Sequence, residues 1–465
     1  MKYTCATVGT LLSCVGVCAL SSCGGASGYN GPAATVSFSS PTQASSIHLG
    51  QGITLTWSSL YATSCTASTS NGMGGNFTGS QPTSGSLTVA PAATGSFTYS
   101  LSCTGGGGTS TATTAQVTVA ASILSQLTQI TPLGSTVDPL VANGGNPYGL
   151  GIAPISSGLI TQGDLIVCNF NDTGSGQGTG TTLVGIHPAV GAMPYNIAQS
   201  NSLQGCNAVA VLPDDSVVAA AYSANTLPLI SSTGTLSMPF AQEAFAGPWG
   251  ATYVAATASM PAAIYVTNVG SSAGTASIDR IELNGDTPSN FTEVAKGFCG
   301  SGTPGAIYAP AGLTYDASID TLYVVDTSSY SVVALSNVSK IGADGVVVNG
   351  SCGGSTPTPA LQFSGPAAGS ARVIASGGQF NAPISAALLT DGDLIVANGD
   401  IDNPQTPNLA FEISPALGFV GQPIQLDASG TPGALFGLAA TVDAQGNQII
   451  YFNDDNTSMV NVLTQ

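Results

Sequence analysis

Two patterns of apolar and polar positions divide the chain. Between residues 34 and 120, apolar residues alternate with Ser and Thr in short segments that Gly, Pro and Asn separate. Alternation with a period of two is typical of strands that bury one face, and several short strands between turn residues favour an antiparallel sandwich. The alternating segments are 35–38, 53–57, 86–89, 97–101 and 115–119.

From residue 121 to 465 the pattern is a loose repeat of six units. Each unit opens with a Gly- or Pro-rich entry into a strand, and further short apolar strands follow. Six such units predict a six-bladed β-propeller, so the chain is all-β. The last unit has only three strands, and we expect the segment 124–130 to supply the fourth and remove an exposed edge. The repeat positions are Gly149, Ala208, Gly250, Gly312, Ser385 and Gly437.

The N-terminus has the pattern of a secretion signal. Lys2 precedes an apolar stretch, 5–20, that is shorter than the roughly 20 residues a membrane-spanning helix needs. The segment 20–23, Leu-Ser-Ser-Cys, resembles the bacterial lipobox. This resemblance implies a signal peptide 1–22, removed before Cys23, and a diacylated Cys23 that anchors the chain stably. The alternative is an ordinary signal peptide in which the cysteine occurs by chance.

The residues after Cys23 predict a tether and a location. Residues 23–33 have the Gly- and Ser-rich composition of a flexible linker. Gly24 differs from the Asp that retains lipoproteins in the inner membrane, so we expect the outer membrane, with the protein facing the periplasm or the cell surface.

Charge excludes one class of partner. Without the signal peptide the chain has 23 acidic and four basic residues, a net charge of −19. The basic residues are scattered and form no patch, so we expect neither nucleic acid nor anionic lipid headgroups as partners. We also expect the protein to be a monomer.

Six cysteines remain after Cys23, an even number that indicates disulfides in an exported protein. The segments 50–58, 62–67 and 99–104 resemble bacterial immunoglobulin-like domains, which implies a Cys65–Cys103 disulfide, a buried Trp57 and a spacer role. The other four allow three pairings, of which we favour Cys168–Cys206, on adjacent blades, and Cys299–Cys352, in two loops. The alternative is that Cys168 and Cys206 are buried free thiols.

The propeller segment resembles the NHL family. Segments 310–316 and 322–332 match its pattern best. The resemblance implies the fold alone, because NHL-type propellers include binding scaffolds and enzymes.

Polar side chains recur where the second strand of a blade ends. They could converge on a cation or polar ligand near the axis, or each could cap its own turn. Loops with clustered oxygens, which calcium prefers, occur at Asp400, Asp402 and Asn403, at Asp454, Asp455 and Asn456, and at 171–176. Solvated loop tips are the alternative there. The recurring residues are Asn169, Asn268, Asp326, Asn398 and Asn453.

Aromatic residues recur at three blade entries, Tyr148, Trp249 and Phe436. Placed at one mouth of the propeller, they could stack on sugars or peptides, or fill gaps between blades.

Catalysis is disfavoured. His187 is the only histidine after residue 120, and the chain has no Gly-x-Ser-x-Gly nucleophile elbow. Propeller lactonases hold a metal with a glutamate at a blade entrance, whereas Glu243, Glu282, Glu293 and Glu412 occur elsewhere. We therefore expect an envelope scaffold that binds a protein, peptide or glycan without a cofactor. If the scaffold binds an ion, we expect calcium. The alternative is a metal-dependent, lactonase-like hydrolase.

Overall fold

The computed structural model describes residues 31–465 except 142–143, 173–175, 242–244, 259, 273, 304, 350–360, 379 and 403. Over these residues the protein is all-β, a sandwich followed by a propeller. No helix in the described ranges is long and apolar enough to cross a membrane.

The sandwich consists of two main sheets and a short third one. One sheet has the order β1-β3-β6, the second β5-β4-β8-β9, and the third β2-β10-β7, in which β2 and β10 are parallel. Phe77, Tyr99 and the predicted core residue Trp57 are buried between them. The strands are β1 (Thr35–Ser40), β2 (Ser45–His48), β3 (Ile53–Leu60), β4 (Ser64–Thr69), β5 (Gly79–Gln81), β6 (Ser84–Val89), β7 (Gly95–Phe97), β8 (Tyr99–Gly105), β9 (Gly108–Thr113) and β10 (Val117–Ala120).

The disulfide Cys65–Cys103 is confirmed, with its Cα atoms 4.0 Å apart. The two residues lie directly opposite each other on β4 and β8 of the same sheet. In antibody domains the corresponding disulfide joins the two sheets, so this module departs from that arrangement. Membership in the immunoglobulin-like family stays a prediction.

A short helix, α1 (Ile123–Gln126), and strand β11 (Gln129–Ser135) connect the sandwich to the propeller. Blades 1 and 2 are four-stranded antiparallel sheets, each numbered from the axis outwards. Blade 1 comprises β12 (Gly144–Ile152), β13 (Leu165–Asp172), β14 (Thr182–Ile186) and β15 (Tyr195–Gln199). Blade 2 comprises β16 (Cys206–Val211), β17 (Val217–Ala221), β18 (Leu229–Ile230) and β19 (Leu236–Ser237).

Blades 3 and 4 are interleaved along the chain, because a hairpin of β29 and β30 extends blade 3 before the last strand of blade 4. Blade 3 comprises β20 (Pro248–Val254), β21 (Ala263–Asn268), β22 (Ala276–Asn284), β23 (Thr287–Phe298), β29 (Val346–Asn349) and β30 (Gln362–Ser364). A separate hairpin of β24 (Ser301–Thr303) and β25 (Ala306–Tyr308) follows β23 along the chain. Blade 4 comprises β26 (Pro310–Asp316), β27 (Thr321–Asp326), β28 (Ser331–Ser336) and β31 (Ala371–Ser376).

Blade 6 closes the ring as predicted, because β11 pairs with the C-terminal strand β39. The closing strand begins at Gln129, not at residue 124, since the residues before it form α1. Turns of 3₁₀ helix occur at Asn201–Leu203, Val338–Lys340 and Ala368–Ser370. Blade 5 comprises β32 (Pro383–Leu388), β33 (Leu394–Asn398), β34 (Leu409–Ser414), β35 (Phe419–Val420) and β36 (Ile424–Gln425). Blade 6 comprises β37 (Leu435–Val442), β38 (Gln448–Asp454), β39 (Met459–Thr464) and the closing strand β11.

The second predicted disulfide lies in the propeller. Cys168 in blade 1 pairs with Cys206 in blade 2, with 5.4 Å between Cα atoms. The alternative of buried free thiols is therefore wrong. Cys299 is also disulfide-bonded, but its predicted partner Cys352 lies outside the described residues, so that pairing stays a prediction.

Candidate functional site

The innermost strands of all six blades surround an axial chamber of about 80 Å³. Every predicted repeat position lines it, which explains why these positions hold Gly, Ala or Ser. A Cβ atom on Gly437 would lie 2.5 Å from the Tyr148 carbonyl oxygen, and one on Gly312 would lie 2.7 Å from that of Ile384. Glycine thus allows the inner strands to approach closely, and the chamber stays narrow.

Two polar side chains line the axial chamber, Asn207 and Ser385. Both are buried, and the Asn207 Oδ1 and Ser385 Oγ atoms have no hydrogen-bond partner among the described residues. The chamber is large enough for a few water molecules and too small for a sugar or peptide. Ser385 is one of the predicted repeat positions, whereas the sequence analysis did not single out Asn207.

The three predicted rim aromatics meet at the end of the axis where the innermost strands begin, called here the entry face. Tyr148 stacks on Phe436 with 3.5 Å between ring centroids, and on Phe170 at 4.3 Å on its other side. The Trp249 ring meets Tyr148 edge-on. Both faces of Tyr148 are therefore covered by rings, so this side chain has no open face for a sugar.

The five recurring Asn and Asp side chains do not form the predicted axial ring, because none of them lines the chamber. Each is buried and hydrogen-bonded to other parts of the protein. Asn169 donates to the Thr182 hydroxyl at 2.9 Å, and Asn268 donates to Asp279 at 2.7 Å.

The other three recurring side chains act in the same way. Asp326 accepts from the Ser328 hydroxyl at 2.7 Å, Asn398 from the Asn381 backbone N–H, and Asn453 donates to the Tyr148 carbonyl. Asp326 thus caps the turn after its own strand, as in the alternative interpretation, whereas Asn398 and Asn453 bond backbone groups that are 17 and 305 positions away.

None of the described residues of the predicted oxygen-rich loops lines the axial chamber, but Asn171 hydrogen-bonds the side chain of Tyr148, and the charge of Asp455 acts on the same side chain. Burial raises the pKa of Asp400 to about 6 and that of Asp455 to about 7, the neighbouring Asp454 adding to the latter. Asp402 accepts a hydrogen bond from the Tyr308 hydroxyl, and Asn456 donates to Asp427. Asn403 and residues 173–175 lie outside the described residues.

His187 contacts a carboxylate far from the axis. Its Nδ1 lies 2.5 Å from Oδ1 of the buried Asp164, whose Oδ2 accepts from the Tyr195 hydroxyl at 2.6 Å. The arrangement ties the loop before β13 to strands β14 and β15. His187 does not line the axial chamber, and its contacts give it a structural role.

Three carboxylates lie together where blade 5 meets α1. Asp391 and Asp393 are in the turn between β32 and β33, and Glu412 is in β34. One oxygen of each lies within 4.8 Å of the others. Glu412 accepts from the backbone N–H groups of Ile123 at 3.1 Å and Leu124 at 2.5 Å.

Burial controls the protonation of this carboxylate cluster. It raises the pKa of Asp393 to about 8, and repulsion from the Asp391 and Glu412 carboxylates adds to the effect. Burial also raises the pKa of Glu412, against the two backbone N–H groups that lower it. Sequence reasoning noted Glu412 but missed the cluster, because its members come from a turn and a strand about 20 residues apart.

The sandwich docks beside this cluster, on the face of the propeller opposite the entry face. His48 Nδ1 lies 2.9 Å from Asp391 Oδ2, and the Gln51 side chain donates to the Asp391 carbonyl at 3.1 Å. The Phe419 ring lies against Gly50.

A cleft of about 480 Å³ opens between the two domains at this junction. It is lined by Gln51 and Gly52 of the sandwich and by side chains of blades 4 and 5, among them Asp316, Arg372, Asp391 and Asp393. The cleft is several times larger than the axial chamber, and three acidic residues face one basic residue in its lining.

No protein-family model and no curated protein matches the chain. Among solved structures, virginiamycin B lyase from Staphylococcus aureus is 14% identical, with a TM-score of 0.42 over 72% of this chain and 99% of the lyase. A gluconolactonase from Xanthomonas campestris is 15% identical, with a TM-score of 0.44 over 73% and 98%. The calcium-binding protein regucalcin from Agrobacterium tumefaciens is 13% identical, with a TM-score of 0.41 over 72% and 95%. The six blades follow from the order of the strands in the sheets.

Proposed function

We propose that this chain is an outer-membrane lipoprotein, anchored through Cys23, that binds a polar peptide or glycan without catalysis. The immunoglobulin-like sandwich serves as a spacer and the NHL-type propeller as the binding domain. The observation that carries the proposal is the interdomain cleft, which the sandwich and blades 4 and 5 form together.

The size and position of the cleft support a binding role. Ligand sites have volumes of roughly 300–1,000 Å³ and occur preferentially between domains. At the entry face, by contrast, the Tyr148 ring is stacked between two other rings. The acidic lining favours hydroxyl and amino groups over anions, so amino sugars and basic peptides are the ligand classes we expect.

A thermal-shift screen of the mature chain carrying Cys23→Ser tests this proposal. We expect a ligand of these classes to raise the melting temperature, and the combined substitution Asp391→Asn and Asp393→Asn to abolish the effect. Asp443→Asn is the matched control, because Asp443 occupies the corresponding turn of blade 6 and bonds Asn447. A screen without a ligand, or a ligand whose effect Trp249→Ala abolishes and the cleft substitutions do not, contradicts the proposal.

The carboxylate cluster favours a second candidate, a metal-dependent hydrolase. Asp391, Asp393 and Glu412 offer three oxygen ligands of the kind that calcium accepts. Elemental analysis of the purified protein separates the two candidates. The hydrolase is supported if the protein binds one equivalent of a divalent metal and hydrolyses lactones, and if the Glu412→Gln variant loses both the metal and the hydrolysis. The scaffold is supported if the protein binds no metal and turns over no lactone.

A further inference from the structure

The sandwich and the propeller differ completely in charge. Residues 31–137 contain no Asp, Glu, Lys or Arg, whereas residues 138–465 contain all 23 acidic residues and four basic ones. An anionic membrane repels negative charges on a protein over about one Debye length, which is about 8–10 Å at physiological salt. The propeller, with a net charge of −19, is therefore repelled from such a surface, and the sandwich is not.

The two ends of the sandwich face different surroundings. Gly50 and Gly52, just before β3, contact Phe419 and Leu417 of blade 5. Strand β3 then runs away from the propeller, a rise of roughly 26 Å over eight residues, and ends at Leu60. The turn after Leu60 is therefore the end of the sandwich farthest from the propeller.

This far end exposes two large side chains. Leu60 is 65% exposed and Tyr61 is 63% exposed. Tyr61 has a φ of 59°, a left-handed conformation that a bulky residue rarely adopts. Backbone strain at this position points to a function, because a side chain that is mostly exposed adds little to the packing of the fold.

The chain enters the sandwich at the same end. The Gly31 carbonyl lies against Gly107, and the Tyr61 carbonyl lies against Gly105 of the same turn. Cys23 precedes Gly31 by eight positions. A fully extended chain of eight residues spans at most about 29 Å, so an acylated Cys23 would hold this end close to the bilayer.

We propose that Leu60 and Tyr61 form a membrane-contacting tip that enters the lipid interface beside the acylated Cys23. This inference rests on the proposed lipidation. An aliphatic side chain next to a tyrosine suits the boundary between acyl chains and headgroups. The sandwich then stands on the membrane and holds the acidic propeller and the cleft away from it. Because the tip lacks basic residues, the contact requires no anionic headgroup and is insensitive to salt.

The test uses the full-length lipidated protein in vesicles that contain bromine-labelled phosphatidylcholine, which quenches tryptophan at the lipid interface. Tyr61→Trp reports on the tip, and Leu60→Trp repeats the test at a position without left-handed backbone. Met73→Trp is the matched control, because Met73 is 57% exposed in the loop that follows β4, at the propeller-facing end. The native Trp57 and Trp249 are buried and give the background.

We expect the tryptophan introduced by Tyr61→Trp or by Leu60→Trp to be quenched about threefold more than the one introduced by Met73→Trp, after background subtraction and equally at low and high salt. Vesicle flotation separates the two proposals. A protein that does not float lacks the anchor, whereas one that floats with equal quenching at both ends overturns the tip. In the Tyr61→Trp variant, the new tryptophan could be shielded from iodide and yet not be quenched by the bromine-labelled lipid. That result indicates a protein partner at the tip and also overturns the membrane contact.

Discussion

At the scale of single residues, the glycines of the innermost strands leave little room for any side chain. A methyl group on Gly437 would meet the Tyr148 carbonyl at 2.5 Å and the Asn453 amide at 2.6 Å, and both groups belong to the seam between blades 6 and 1.

We therefore predict that Gly437→Ala lowers the free energy of unfolding by about 1–3 kcal/mol, because neither neighbour can move without breaking the seam. Urea denaturation of the Cys23→Ser chain measures the change. Gly342→Ala is the control, since nothing lies within 4 Å of its added Cβ. Equal effects of the two substitutions would show that the inner strands are not crowded.

Asp393 gives the cluster beside α1 a pH dependence. Its folded pKa of about 8 lies above the unfolded value of roughly 4. The folded state thus binds the proton more tightly, and the stability from this group is present below pH 4 and lost as the pH rises to about 8. We predict that Asp393→Asn, which mimics the protonated form, melts higher than the parent at pH 8 and flattens the decline. Thermal melts from pH 4 to 9 measure this, and an unchanged slope would contradict the assignment.

The sequence predicted the positions of site residues better than their contacts. The six repeat positions were found because each blade repeats the same need for a small residue at the axis. The mutual stacking of Tyr148, Phe436 and Phe170 was not, because ring contacts depend on how blades are rotated against one another.

At the scale of elements, the closure of blade 6 was predicted from its missing strand, but its start was five residues off. The apolar residues Ile123 and Leu124 were expected to lead into a strand, whereas Glu412 accepts their backbone N–H groups and α1 begins there. The carboxylate is almost 290 positions away along the chain, which no local pattern reveals.

The closing strand should contribute strongly to stability through its one buried face. Leu133 in β11 is 4% exposed and packs among residues of blades 1 and 6, whereas Ile130 on the same strand is 40% exposed. We predict that Leu133→Ala costs about 2–4 kcal/mol and Ile130→Ala less than about 0.5 kcal/mol. Chemical denaturation of both variants decides the point, and similar losses would mean that β11 does not seal the ring.

Cys299 allows a direct test of the remaining disulfide. It is bonded, and Cys352 is the one unassigned cysteine after Cys23. Non-reducing peptide mapping should recover a peptide that joins Cys299 to Cys352; one that joins either of them to Cys168 or Cys206 would overturn both propeller pairings.

At the scale of the whole molecule, the sandwich is more than a flexible spacer, because His48 and Gln51 contact the turn of Asp391 in blade 5. The sequence predicted two domains, the first from alternation with a period of two and the second from a repeat of six units. It could not predict their docking or the cleft, because the contacts come from turns and single polar side chains that carry no period.

Mass spectrometry of the N-terminal peptide of the protein isolated from bacterial envelopes tests the proposed lipidation most directly. We predict a chain that begins at Cys23, carries a diacylglyceryl group and fractionates with the outer membrane, and a Cys23→Ser variant that does not. A wild-type protein that begins at another residue, or whose Cys23 carries no lipid, would contradict this prediction.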